Sequence, residues 1–464
     1  MCDNLVVLPN YTRSASMLVA KNSDRPANES QPLVYNQRKS YKNPDIVPLA
    51  YVEIPQFEET YLTIGSSPFW CWGYEQGMNE YGVAIGNEAI FTKDLKDSAA
   101  NPDKQKGILG MELVRLGLER GKTAKGALEV ITKLVEEYGQ WGTAVVGEEK
   151  PYNNSFLIAD SNEAWVLETI DHQWAARRIQ DNFHSISNEM SIRQDWDLCS
   201  EHFLEKAVNA GWIEGDGNFD AAYAYTDFTN ALQVSHIRVQ RTKQLLSEKS
   251  GQVDVNWIKC ILRDHYEDTF LEGPFFNAAL PDFQTICMHS SPANFTWGIT
   301  ASSTIFELPK DEWHLPLIWW SPATPCTGLY LPIFLCEQDF PELLSNAGTV
   351  RVKKVNPTIS AHDQSTEDSY WWKFRVLLDE LKGNENGTLF SKNKEIARKV
   401  FDPLEQKWVT LIRDIEEEAA LLNKTGKRKE AIGLVTAFSN ECLKEALEAI
   451  DEVRVQINSV LLSS

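Results

Sequence analysis

Met1-Cys2-Asp3-Asn4-Leu5-Val6-Val7-Leu8, followed by Ser16-Met17-Leu18-Val19-Ala20-Lys21, is the pair of segments on which the fold turns. Residues 2–8 form an apolar run suited to a buried strand. Pro9-Asn10 and Thr12-Arg13-Ser14 supply a turn before the second strand, so a hairpin is expected whose first strand begins at Cys2. Initiator methionine is usually trimmed before a small side chain, which would leave Cys2 with a thiol and a free α-amine. A cysteine nucleophile needs a nearby base, and a terminal amine can serve as one. The amine's ordinary pKa of roughly 7.7–8.0 lies close to the thiol's roughly 8.5, so proton transfer between them costs little near neutral pH. On position alone, Cys2 reads more simply as an ordinary second residue. The rest of the chain changes that balance.

Working outward, Lys21-Asn22-Ser23-Asp24-Arg25-Pro26 is a polar cluster at the end of the second strand. A hairpin brings its open ends together, so Asp24 is expected near Cys2. There its carboxylate could orient an α-ammonium, or it could be a plain strand-end turn residue. Residues 47–66 are rich in β-formers. In Phe69-Trp70-Cys71-Trp72-Gly73-Tyr74, alternation predicts a strand with its aromatics on one face, more as core than as ligand platform. Asn79-Glu80-Tyr81-Gly82 then makes a turn, and Val83–Gly86 a returning strand that ends at Asn87. An asparagine there could donate to an oxyanion or simply close a turn.

Residues 107–120 and 124–138 carry apolar side chains at helical spacing, with Thr123 as a start signal, and predict two amphipathic helices on a sheet. Asn153–Asp160, Glu163–Thr169 and His172–Arg178 continue the sheet, and Phe183–Glu189 ends another strand on Asn188. Residues 195–272 are mostly helical in pattern. They include Ser235-His236-Ile237-Arg238 and the polar cluster Arg263-Asp264-His265-Tyr266-Glu267. Strands are expected again at Thr285–His289 and Trp297–Phe306, joined through Ser290–Thr296, then at Trp313–Trp320 and Leu329–Phe334. Beyond about 366, Trp371–Leu381, Lys392–Glu418 and Arg428–Val460 are long helical patterns. The expected division is 1–365 as a catalytic domain and 366–464 as a helical extension packed on it.

The totals set bounds. A net charge of −21 over 464 residues argues against nucleic acid and anionic membrane surfaces as partners. The apolar fraction of 43% with 24% charged residues is ordinary globular composition. Eight cysteines are scattered without CxxC pairs, so free thiols are expected rather than a disulfide framework or a zinc site. His289 beside Cys287, and His236 near Arg238, suggest a Cys/His dyad or metal site only weakly, because no spaced second ligand accompanies either. No metal is therefore expected. No signal segment or membrane-spanning run is visible, so a cytoplasmic location is expected.

Several ordered motifs together carry a resemblance. Cys2-Asp3, Lys21–Pro26, Asn79–Glu88, Ala164-Trp165-Val166-Leu167-Glu168, Ile186-Ser187-Asn188, Leu262–Glu267 and Cys287-Met288-His289 resemble the secernin/dipeptidase-A branch of the N-terminal-nucleophile (Ntn) hydrolases. The likeness runs over nearly the whole chain and is weakest after about 385. It implies an α+β fold, a four-layer αββα sandwich with added C-terminal helices, and a cofactor-free cysteine hydrolase of dipeptides. Similarity to the wider choloylglycine-hydrolase and penicillin-acylase relatives also implies roles: Cys2 as nucleophile and, through its amine, base; Asp24 against the amine and thiol; Asn188 in the oxyanion hole; Arg238 as electrostatic support. Asn87 is a looser match. Lys21 stands where the wider choloylglycine-hydrolase and penicillin-acylase relatives have arginine and lacks a planar fork, leaving open whether Lys21 or Arg25 takes that role. Acylase action on N-acyl amides, and a non-hydrolytic binding or regulatory protein, are the alternatives. Small peptides or amides are the expected partners, with self-association left open.

Overall fold

In the computed structural model Cys2 opens an interior strand, with neighbours on both sides. The structure describes residues 2–463 apart from 43–44, 102–104, 148–149, 214–218, 231, 273–276, 282, 291–295, 297, 310, 352 and 354–355. The N-terminal third contains β1 (Cys2–Val7), β2 (Leu18–Arg25), β3 (Leu33–Asn36), β4 (Lys39–Ser40), β5 (Ile46–Pro48), β6 (Glu53–Pro55) and β7 (Glu59–Thr60). It continues with β8 (Thr63–Ser66), β9 (Gln76–Asn79), β10 (Ala84–Ile90) and the helices α1 (Asp94–Ala100), α2 (Gly110–Arg120) and α3 (Ala124–Tyr138). The middle third adds β11 (Asn153–Ala159), β12 (Ala164–Ile170), β13 (Gln173–Arg178), β14 (Phe183–Ile186) and β15 (Leu198–Cys199). The helices α4 (Phe203–Asn209), α5 (Ala221–Tyr225), α6 (Gln233–Ser247) and α7 (Val255–Leu262) follow. The last third holds β16 (Ile299–Glu307), β17 (Leu317–Pro322), β18 (Leu331–Phe334), α8 (Glu342–Ser345), α9 (Tyr370–Lys382), α10 (Phe390–Lys424) and α11 (Arg428–Ser463).

Two antiparallel sheets face one another. The first runs β14-β1-β2-β16-β17-β18 and the second β15-β13-β12-β11-β10-β9-β8-β3. The β1–β2 hairpin sets Cys2 opposite Ser23, one residue from Asp24, as the open-end argument requires. Strand β1 packs across onto β10 and β11, which places the sheets face to face. Helices α2 and α3 cover the outer face of the second sheet, while α6 and α7 cover the first around β14, β1, β2 and β16. Both outer pairs are amphipathic solutions to burying one face of a sheet. The result is the α+β, αββα sandwich expected of an Ntn hydrolase, with α9–α11 packed beyond β17 and β18.

Polar side chains meet across the interlayer. Ser66 Oγ donates to Ser302 Oγ across the sheets at 2.8 Å, and Gln76 Nε2 reaches Ser302 and Thr304 at 3.1 and 2.9 Å. Each polar atom so matched avoids the cost of burial without a partner.

Three readings of local structure are corrected. Phe69–Tyr74 is a turn rather than a strand, because its backbone N–H groups go to separate segments: Phe69 donates to the Ser30 carbonyl, Cys71 to Pro68 and Tyr74 to Met111. Strand β10 does not end at Asn87 but continues to Ile90, paired throughout with β11. Thr285–His289 is irregular, since its backbone bonds go to Asp264 and to Thr300 rather than to a ladder. Most of the joint expected through Ser290–Thr296 lies outside the described residues. The three C-terminal helical patterns are continuous helices, and all eight cysteines are free.

Candidate active site

The thiol of Cys2 sits at the wall of a cavity of about 290 Å³, lined also by Asp24, Arg25, Glu75, Asn87, Ala89, Phe91, Val145, Lys150, Tyr152 and Asn188. The main-chain nitrogen of Cys2 donates to Asn188 Oδ1 at 2.9 Å, and the N–H of Asp24 points at its Sγ at 3.4 Å. Asn188 lies two residues beyond the end of β14, the strand paired with β1, so it returns alongside residue 2. Its Nδ2 donates to the Ala89 carbonyl at 2.9 Å.

Arg238, on α6, is fully buried beneath this pair. One guanidinium nitrogen donates to the Cys2 carbonyl at 2.9 Å and to Asp3 Oδ2 at 2.7 Å, while the other donates to Asn188 Oδ1 at 2.9 Å. A planar fork can meet all three acceptors at once. Ser187 Oγ adds a bond to the Cys2 carbonyl at 3.1 Å. Asp24 is buried and held by Thr300 Oγ1 at 2.7 Å on one oxygen, while the other has no partner among the described residues.

Lys21 and Asn87 are brought together rather than each onto the thiol. Lys21 Nζ donates to Asn87 O and Oδ1 at 2.5 and 3.0 Å, and to Glu75 O and Oε2 at 2.8 and 3.1 Å. Asn87 Nδ2 donates in turn to Asn154 Oδ1 at 2.9 Å. Arg25 is committed elsewhere, to Glu75 at 3.1 Å, to Glu29 and to the Ala144 carbonyl. Of the two cations, Lys21 is the one whose charge acts on the thiol.

Burial dominates the electrostatics. It pushes the Cys2 thiol up to about 12, with Lys21 pulling the other way. It raises Asp24 to about 7 and holds Glu88, which has no bonded partner on either oxygen among the described residues, well above the usual carboxylate range. Burial also works to raise Glu75, but Lys21 and Arg25 override it and hold this carboxylate low. A thiol so disfavoured as a thiolate needs an adjacent base to react near neutral pH.

Asp3, Glu75, Glu88 and Thr300 belong to this network and carried no expected role. The signal was present for the first three: each is a charged residue inside or beside an apolar strand pattern. Thr300 carried no such mark, because only the pairing of β16 with β2 sets it opposite Asp24.

The model of Peptidase family C69 matches residues 1–232. A probable dipeptidase A of Streptococcus pyogenes serotype M1 is 24% identical over 273 residues, which is 52% of this chain and 53% of that protein. A second probable dipeptidase A, from Streptococcus pyogenes serotype M3 (strain SSI-1), is 24% identical over 285 residues, 54% of this chain and 56% of its own length. The chain thus spans about half the length of the curated relatives it matches. Among solved structures, a mutant conjugated bile acid hydrolase from Clostridium perfringens aligns over 78% of this chain and 99% of that chain, at 12% identity and a TM-score of 0.41.

Proposed function

This chain belongs to Peptidase family C69, and from that premise we propose that it is a cysteine amide hydrolase acting on dipeptides. One observation carries the reading: Cys2 stands at the start of an interior strand, with its nitrogen and carbonyl both held and its sulfur at the wall of a small cavity. The role requires Cys2 to bear a free amine, and hence removal of Met1.

In the proposed reaction the Cys2 sulfur attacks the substrate carbonyl carbon, and the thiol proton passes to the Cys2 amine. A C–S bond forms and the carbonyl oxygen takes the negative charge. Collapse breaks the C–N bond as the Cys2 ammonium returns its proton to the leaving amine. Water then adds to the thioester, giving one proton to the Cys2 amine, and the thiol is regenerated as the acid product leaves. Asn188 holds the amine through Oδ1; its Nδ2, released from the Ala89 carbonyl, and a backbone N–H would serve the oxyanion. One such donor is worth about 2.7–4 kcal/mol of barrier. Asp24 orients the ammonium, Arg238 fixes Cys2 and Asn188 together, and Lys21 with Asn87 forms the polar wall that eases thiolate formation.

The apolar lining by Ala89, Phe91 and Val145 supports a second reading, an acylase that seats an N-acyl group there. A panel of dipeptides and N-acyl amides, assayed with mass measurement of the N-terminus, separates the two. Cys2→Ala should abolish turnover and Cys2→Ser reduce it strongly. Undiminished dipeptide hydrolysis by Cys2→Ala, or by protein shown to retain Met1, would sink the scheme.

A further inference from the structure

Four metal-ligating side chains outside the cavity of Cys2 converge on one buried point. His265 follows α7, Cys287 and His289 alternate on the irregular segment 285–289, and Cys326 lies in the turn between β17 and β18. His289 Nε2 is 3.2 Å from His265 Nε2, 3.2 Å from Cys326 Sγ and 3.8 Å from Cys287 Sγ. All four candidate ligand atoms lie within 4.8 Å of one another. A tetrahedral ion with nitrogen ligands at about 2.0–2.1 Å and sulfur at about 2.3 Å requires ligand–ligand edges of about 3.3–3.8 Å. The three separations fall within a few tenths of an ångström of that range.

A second observation points the same way. His265 Nδ1 faces Glu267 Oε1 at 2.9 Å. A carboxylate on the outer nitrogen fixes the tautomer that leaves the Nε2 lone pair directed inward, as metal-bound histidines are held. We infer that His265, Cys287, His289 and Cys326 form a structural zinc site. Two thiolates and two imidazoles in a tetrahedral set suit Zn²⁺ above harder divalent ions. All four residues are buried, and four protein ligands leave no open coordination position, so a site of this kind holds the fold rather than catalyses.

What it holds is specific. Met288, between two of the ligands, donates its N–H to Thr300 Oγ1 at 2.8 Å, and Thr300 is the residue that donates to Asp24. Asn22 on β2 donates to the carbonyls of Leu262 and Ile286 at 2.8 and 2.7 Å. The ion would therefore pin a segment without regular ladder bonds against the strand that carries Asp24. This site stands whether or not the hydrolase reading does.

The test is elemental analysis of the full-length chain, purified without chelator or polyhistidine tag. About one zinc per chain is expected, falling at least tenfold in Cys287→Ser/Cys326→Ser. Independently of how that variant folds, the wild-type chain is stripped with chelator and titrated with Co²⁺, which should give the visible d–d bands of tetrahedral thiolate-ligated cobalt and restore the thermal midpoint. A wild-type chain that holds less than about a tenth of an equivalent, and takes up neither Zn²⁺ nor Co²⁺, overturns the site. So does a Cys287–Cys326 disulfide found in freshly isolated protein, or metal content unchanged in the double variant.

Discussion

At the scale of single residues, Arg238 is the side chain on which the geometry of Cys2 most depends. Its fork reaches the Cys2 carbonyl, Asp3 and Asn188 together. Lysine keeps the charge but cannot span all three acceptors. Losing one charge-assisted bond costs about 1.5–3 kcal/mol, so Arg238→Lys should lower kcat/KM by roughly 10–100-fold with the fold retained. Arg238→Ala would leave the Asp3 carboxyl, which burial already pushes up, in the interior without its guanidinium partner and should destabilise the protein by about 3–5 kcal/mol. Steady-state kinetics and denaturant unfolding of the two variants check both parts. Equal kinetic loss in Arg238→Lys and Arg238→Ala, without a stability difference, would contradict this account.

At the scale of elements, the hairpin and the strand facing it set how closely the two sheets approach. Strand β10 passes over Asn4 of β1 at Gly86, where an added Cβ would lie 2.5 Å from Asn4 Oδ1 and 2.9 Å from Nδ2. Asn4 is itself fully buried. Gly86→Ala should therefore push the sheets apart beside the thiol, at a cost of about 1–3 kcal/mol. A fall in thermal midpoint with loss of turnover is the expected outcome; an unchanged midpoint would mean that the interlayer yields more easily than its polar contacts imply. The same scale explains why Phe69–Tyr74 and Thr285–His289 differ from their alternating patterns. In both, buried side chains and bonds to distant segments take the place of a partner strand.

At the scale of the whole molecule, the C-terminal helices are bound into the sandwich by buried charge. Glu405 of α10 accepts from Arg263 at 2.6 Å and from the Tyr330 N–H at 2.8 Å, and lies 3.4 Å from Lys259. Trp371 donates to the Ala301 carbonyl at 2.7 Å. We keep 1–365 as the proposed catalytic unit and 366–464 as its proposed helical layer, and these shared buried pairs argue that neither stands alone. Buried carboxyls also shape stability against pH. Burial raises Glu168 to about 7 although Ser191 and Ile192 donate to it. Because its folded value lies above its unfolded one of about 4.3, its stabilising contribution is complete below pH ~4 and is lost as pH rises through about 7. Glu112 and Asp24, each also raised to about 7 by burial, act in the same direction. Glu168→Gln lacks this titration, so its stability deficit relative to wild type should shrink by on the order of 3 kcal/mol between pH 4 and 7.5. Chemical unfolding of both proteins across that range measures it, and a deficit constant with pH would refute the assignment.

The linear chain by itself determined the hairpin, the paired outer helices, the long C-terminal helices and the expected grouping of Cys2 with Asp24. Each of these rests on local periodicity or on the fact that a hairpin's ends must meet. Tertiary structure alone decided that Lys21 bonds Asn87 and Glu75, that Arg25 is engaged elsewhere, and that Thr300 stands behind Asp24. It also brought His265, Cys287, His289 and Cys326 to one point from three separate stretches, where the sequence offered only the Cys287/His289 pair and no spaced second pair. The physical reason is one of range. Period and turn chemistry act between neighbours in sequence, whereas a buried charge takes its partner from whichever strand or turn the packed sheets set opposite it.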